Sequence, residues 1–107
     1  MLEITFRQMT PSDIDAVTEL DKKIFCDDAW SRYIFAYEAR NLHADYIVAE
    51  FENKIVAYVT LTFFEGFTAI SKFAVAPEFR RRTLGKQFLE FILKLIRKLR
   101  KRILIIG

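Results

Sequence analysis

Residues 3–9, Glu3-Ile4-Thr5-Phe6-Arg7-Gln8-Met9, alternate polar and apolar side chains, the period of a strand with one face on a core. Thr10-Pro11-Ser12-Asp13 then reads as a helix start: Thr10 suits a cap, Pro11 the first helical position and Asp13 the positive end of the dipole. Ile14, Val17, Leu20, Ile24 and Phe25 fall on one face of that helix, and a loop follows at residues 26–29. Trp30-Ser31 opens a shorter helix, to about residue 40, with Ser31 as its cap. Residues 45–52 and 54–64 are β-rich runs parted by a tight turn around Asn53, the signature of an antiparallel hairpin. Glu65-Gly66 turns the chain into another strand over 67–76, which Pro77-Glu78-Phe79 ends. A helical stripe of Leu84, Phe88, Ile92, Leu95, Ile96 and Leu99 then predicts a long helix over 83–100. The apolar run Ile103-Leu104-Ile105-Ile106 predicts a last strand buried on both faces.

The predicted order is β-α-α-β-β-β-α-β, an α/β (α+β) fold with a mixed sheet. Its last strand should lie parallel to the strand before the long helix, because the two are joined by a crossover. The 107 residues make one domain, spanning 1–107. Hydrophobic residues reach 52%, enough for a core and far from a disordered composition. No apolar run approaches the roughly 20 residues needed to cross a bilayer. The first residues lack the basic-then-apolar order of a signal peptide, and a single cysteine excludes an internal disulfide framework. The expectation is a cytoplasmic protein without a membrane partner.

The net charge is only +3, yet it is unevenly spread. Acidic residues dominate 13–28, while basic ones cluster at 80–86 and 94–102. A basic C-terminal third favours an anionic partner: nucleic acid, lipid or a phosphorylated cofactor. Spacing discriminates among them. The basic run sits in the turn between the 67–76 strand and the long helix, Pro77-Glu78-Phe79-Arg80-Arg81-Arg82-Thr83-Leu84-Gly85-Lys86. Unpaired amides at a helix start favour a phosphate, arginines add bidentate contacts, and Gly85 lets backbone and ligand approach closely. These features describe a pyrophosphate cradle. The aromatics fall at core spacing instead of interleaving with the basic cluster, which makes nucleic acid an unlikely partner. The 94–102 cluster reads as the exposed face of an amphipathic helix.

Phe73-Ala74-Val75-Ala76-Pro77-Glu78-Phe79-Arg80-Arg81-Arg82-Thr83-Leu84-Gly85 resembles the strand-to-helix signature of GNAT acetyltransferases. That signature is Arg/Gln-x-x-Gly-x-Gly/Ala after an Ala-Val-x-Pro-x-aromatic-Arg stretch. The branch most similar acetylates the N-terminal alanine of ribosomal proteins, with further likeness at Met9-Thr10-Pro11-Ser12-Asp13, Trp30-Ser31 and Tyr46-Ile47-Val48-Ala49-Glu50. The resemblance implies an acyl-CoA N-acyltransferase-like fold that stops at or within its fifth strand. It implies acetyl-CoA as donor and a primary amine as acceptor, a small molecule or a protein N-terminus, joined by direct transfer. It further implies that Phe73 and Val75 offer main-chain groups to the pantetheine arm. The pyrophosphate would be held from Arg80, Arg81, Arg82, Thr83, Leu84, Gly85 and Lys86, and the thioester would enter between the last two strands.

Two positions depart from that pattern. Thr83 stands where the first signature glycine is expected, and a β-branched residue there is strained if φ must be positive. Ile106 stands where similar enzymes carry a glutamate base, and the later tyrosine acid has no counterpart, so no catalytic residue is assigned. Glu65 at its turn reads as solvated, although it is a conceivable base. Transfer by proximity alone would forgo the ~10²–10⁴-fold of a positioned acid or base. The alternative is therefore a non-catalytic acyl-CoA-binding or interaction module. His43 has no partner at metal-ligand spacing, and Cys26 lacks an activating neighbour, so neither metal nor nucleophile is assigned. An apolar last strand with an open edge further predicts a homodimer or strand-swapped assembly.

Overall fold

A computed structural model describes residues 3–41, 43–79, 84–98 and 102–105. The strands are β1 (Thr5–Gln8), β2 (Ala44–Phe51), β3 (Lys54–Phe64), β4 (Phe67–Val75) and β5 (Arg102–Ile105), and the helices are α1 (Ile14–Phe25), α2 (Arg32–Glu38) and α3 (Leu84–Lys98). Every element predicted from the pattern is present, in the predicted order. The sheet runs β1-β2-β3-β4-β5. Its first four strands are antiparallel, and β5 joins β4 in parallel from Phe67↔Arg102 to Ile70↔Ile105, as the crossover through α3 requires.

Helices cover both faces, which explains why Tyr46-Ile47-Val48-Ala49 in β2 and residues 56–61 in β3 are buried without alternation. On one face, Leu84, Phe88, Ile92 and Ile96 of α3 meet Ile47, Val59, Leu61 and Ile70. Phe6 stacks on Phe88 and on Phe91 with ring centroids 5.0 Å apart in each case, and Phe73 meets Phe88 at 5.3 Å. On the other face, Ile14, Val17 and Leu20 of α1 and Phe35 of α2 pack on Val48, Tyr58 and Ala74.

Local chemistry sets the ends of these elements. The Ser31 hydroxyl accepts from the Ile34 amide at 3.3 Å, the cap expected at α2, though the helix closes at Glu38 instead of about residue 40. The Thr10 hydroxyl donates to the Asp13 carboxylate at 3.0 Å, and the Thr10 amide donates to it at 2.8 Å. The β2–β3 turn holds Glu52 and Asn53 at φ +49° and +65°, two successive left-handed residues as in the tightest hairpins. Gly66 turns β3 into β4 at φ +86°. The β3–β4 pairing carries an irregularity. Thr60 faces Lys72 while Leu61 faces Ile70, so Ser71 is an extra residue bulged out of β4.

Candidate active site

Backbone direction along β4 follows from its pairing with β3. The Ala76 amide donates to the Val56 carbonyl at 2.8 Å, and the Lys72 amide donates to the Thr60 hydroxyl at 2.9 Å. Peptide groups alternate sides along a strand, so residues 72, 74 and 76 address β3. Phe73 and Val75 turn their amides the other way, toward the edge where β5 runs. There the described pairing with β5 ends at Ile70↔Ile105. Side chains at the same two positions pack under α3.

Past β4, a 3-10 turn at Pro77–Phe79 leads toward α3. Arg80, Arg81, Arg82 and Thr83 lie outside the described residues. Leu84 opens α3 with its side chain fully buried, so it contributes only main-chain groups to any cradle. A Cβ placed on Gly85 would meet nothing within 4 Å, so the protein's own packing does not demand glycine at this helical position. Lys86 is exposed one residue on. The Gln87 side-chain oxygen, in the first turn of α3, is buried without a hydrogen-bond partner among the described residues. Open space at Gly85 leaves room for a ligand at this helix start.

The opposite face of β4 carries a charged centre. Asp21 is completely buried and accepts from three groups: the Tyr58 hydroxyl, the Trp30 amide at 2.6 Å, and the Lys72 ammonium at 2.9 and 3.1 Å. The Lys72 Nζ lies 4.4 Å from the Trp30 ring centroid, 4.6 Å from that of Phe25 and 5.9 Å from that of Phe35. Burial and the Asp21 carboxylate together push the Tyr58 hydroxyl far above the usual tyrosine range, so it stays a proton donor. The Tyr46 hydroxyl, held by Glu38 at 3.1 Å, is raised by burial first and by that carboxylate second. Nothing in the sequence reading singled this centre out. Two signals were present: an aspartate on the apolar face of α1, four residues after Val17, and a lysine between Ile70 and Phe73 in a buried strand.

The remaining candidates are peripheral: Cys26 is exposed beyond α1 at φ +50°, and His43 and Glu65 are exposed. Among the described residues, no three His, Cys, Asp or Glu side chains gather as metal ligands, and no helix is long and apolar enough to cross a membrane.

The family model for the acetyltransferase (GNAT) family matches residues 13–106. No curated protein matches the chain by sequence. Among solved structures, the ribosomal-protein-S18-alanine N-acetyltransferase from Escherichia coli superposes with a TM-score of 0.79 at 19% identity, covering 90% of this chain. This chain spans 61% of that enzyme's length. An N-acetyltransferase from Thermoplasma acidophilum in complex with coenzyme A gives 0.71 at 15% identity over 91% of this chain and 74% of its own. An aminoglycoside acetyltransferase from an uncultured soil metagenomic sample, in complex with sisomicin, gives 0.82 at 16% identity over 97% of this chain and 77% of its own.

Proposed function

Because the chain belongs to the GNAT family of acetyltransferases, we propose that it takes acetyl-CoA along the β5-side edge of β4 and transfers the acetyl group to a primary amine. The observation that carries this reading is the Phe73 amide turned to that edge, together with the open space at Gly85 in the first turn of α3. In this arrangement Phe73 and Val75 bind the pantetheine arm through main-chain groups. The amides leading into α3, with Arg80, Arg81, Arg82, Thr83 and Lys86 around them, receive the pyrophosphate. The amine nitrogen bonds to the thioester carbonyl carbon, the carbon–sulfur bond breaks, and the coenzyme A thiolate leaves. The amine proton passes to water in the absence of an assigned base. Neighbours of similar fold act on acceptors as different as a ribosomal protein and an aminoglycoside, so a protein N-terminus is one acceptor among several for this chain.

One observation favours a binding module instead. The two buried tyrosine hydroxyls, Tyr46 and Tyr58, are committed to Glu38 and Asp21, so neither serves a leaving thiolate.

Thermal unfolding with acetyl-CoA tests the site. At about 100 times its dissociation constant the ligand adds roughly 2.7 kcal/mol, a rise on the order of 10 °C for a domain of this size. Gly85→Glu is the control drawn from the structure. Replacing a helical glycine with open surroundings should hold or raise stability without ligand, by up to ~1 kcal/mol. The new side chain and its charge should abolish the ligand-induced rise. An unchanged rise in Gly85→Glu, or none in the wild type at millimolar acetyl-CoA, refutes the site. A wild-type rise without acetylation of a peptide bearing a free N-terminal alanine or of a simple alkylamine selects the binding module.

A further inference from the structure

The Asp21–Lys72 pair is an expensive way to pack a sheet face. Taking two charges out of water costs several kcal/mol per ion, and apolar side chains of similar volume usually do as well or better for stability. The fold also bends a strand to make it. Ile70 packs on the α3 face, and two residues later Lys72 reaches the α1 face, which a regular strand forbids. The Ser71 bulge performs that flip. Thr60 steadies the bulge, its hydroxyl lying 2.6 Å from that of Ser71 while accepting from the Lys72 amide.

What the pair delivers is direction. Apolar packing tolerates sliding, whereas the Asp21 carboxylate is fixed by three donors and holds the main chain of Trp30 in the link between α1 and α2. Lys72 thus touches two places. Its side chain orients the α1–α2 segment, and the next residue along its strand, Phe73, presents an amide to the edge assigned above to acetyl-CoA. With α3 covering one face of the sheet, an amine reaches that edge from the α1–α2 face. We infer that Lys72, acting through Asp21, is a positioning residue that holds the α1–α2 segment as the fixed wall past which the acceptor amine approaches. It contacts neither the acceptor nor the cofactor. The acceptor part of this inference rests on the acetyltransferase reading; the tether itself does not.

Trp30 is the only tryptophan, so its fluorescence reports the wall directly. The full chain is compared with Asp21→Leu/Lys72→Met, in which an apolar pair replaces the charges and the fold is expected to survive. The expected result is a melting temperature within about 5 °C of wild type and an acetyl-CoA dissociation constant within about twofold. Trp30 should be quenched by acrylamide at least about twice as strongly, since its amide has lost its anchor. With an N-terminal-alanine peptide as acceptor, KM should rise about ten- to hundredfold, the scale on which a displaced wall misplaces a reactant. Unchanged quenching in the folded double variant overturns the tether, and raised quenching with an unchanged acceptor KM overturns its role toward the amine. If the wild type acetylates nothing, the acetyltransferase reading and the acceptor role fall together, and quenching alone decides the tether. Should the double variant not fold, Lys72→Arg decides. A guanidinium keeps the cation against Asp21 and the rings, so quenching must stay at the wild-type value, and a rise overturns the inference.

Discussion

Asp13→Asn isolates one ionic joint whose contribution can be worked from the structure. The Asp13 carboxylate accepts from the Arg7 guanidinium at 2.6 and 2.9 Å and from the Thr10 amide at 2.8 Å. Arg7 reaches Glu50 as well, at 3.4 Å, so a single guanidinium ties β1, β2 and the start of α1 together. The Arg7 hydrogen bonds are the largest cause that holds the Asp13 carboxyl down at about 2, against an ordinary value of 3.8. A depressed carboxyl stabilises the folded chain above the unfolded pKa and loses that contribution as pH falls through the folded one. A shift of nearly two pH units corresponds to roughly 2.5 kcal/mol, reduced to about 2 because Arg7 is one-third exposed and partly screened.

Asparagine keeps the shape and removes the charge. Urea unfolding at pH 7 should therefore place the variant about 2 kcal/mol below wild type, a midpoint lower by about 1 M for an m-value near 2 kcal/mol/M. The other carboxylates are common to both proteins and cancel in the difference. The gap should shrink as pH falls through the window between 3.8 and 2, to about half its neutral value at pH 3. A gap that stays constant from pH 6 to pH 3 would show that the loss came from altered packing, and the ion-pair account of this joint would be wrong.

Phe88→Ala should cost about 3–5 kcal/mol, because a fully buried ring that touches Phe6 and Phe73 leaves a cavity between β4 and α3; denaturant titration reads it, and a loss below about 1 kcal/mol would mean that the α3 face repacks freely. Gly66→Ala should cost about 1 kcal/mol in the same assay. A Cβ there meets nothing within 4 Å, so the whole penalty is the left-handed φ of +86°, and a neutral result would mean that the β3–β4 turn relaxes to another geometry.

Elements were legible in this sequence where one face of a helix or a run of β-branched residues had no competing explanation. The α3 stripe from Leu84 to Ile96 and the β2–β3 hairpin about Asn53 are of that kind. The parallel placement of β5 followed from handedness and needed no side-chain detail. Phe73 and Val75 were reached by resemblance alone, and the physical basis appears only with the β3 register, which shows which amides turn outward. The Arg80–Thr83 part of the expected cradle lies outside the described residues, and its role stands as proposed. The Asp21–Lys72 centre was illegible for a different reason. Its partners are 51 residues apart, and the bulge that brings them together leaves no compositional mark beyond a serine in a strand.

The two faces of the sheet therefore divide the work. The cluster under α3 is aliphatic and aromatic, and the loss of its members is felt mainly as stability. The α1–α2 face holds the buried charges, the lysine within aromatic rings and the bulge that delivers it, features that cost stability and gain geometry. A chain under selection for a bare scaffold would be expected to replace Asp21 and Lys72 with leucine and methionine. Substitutions should separate accordingly: those under α3 should move unfolding midpoints with ligand affinity retained, whereas those around Asp21 should move the acceptor side with the fold retained. A binding surface confined to the β4 edge would show no such separation, and the α1–α2 segment would then be packing alone.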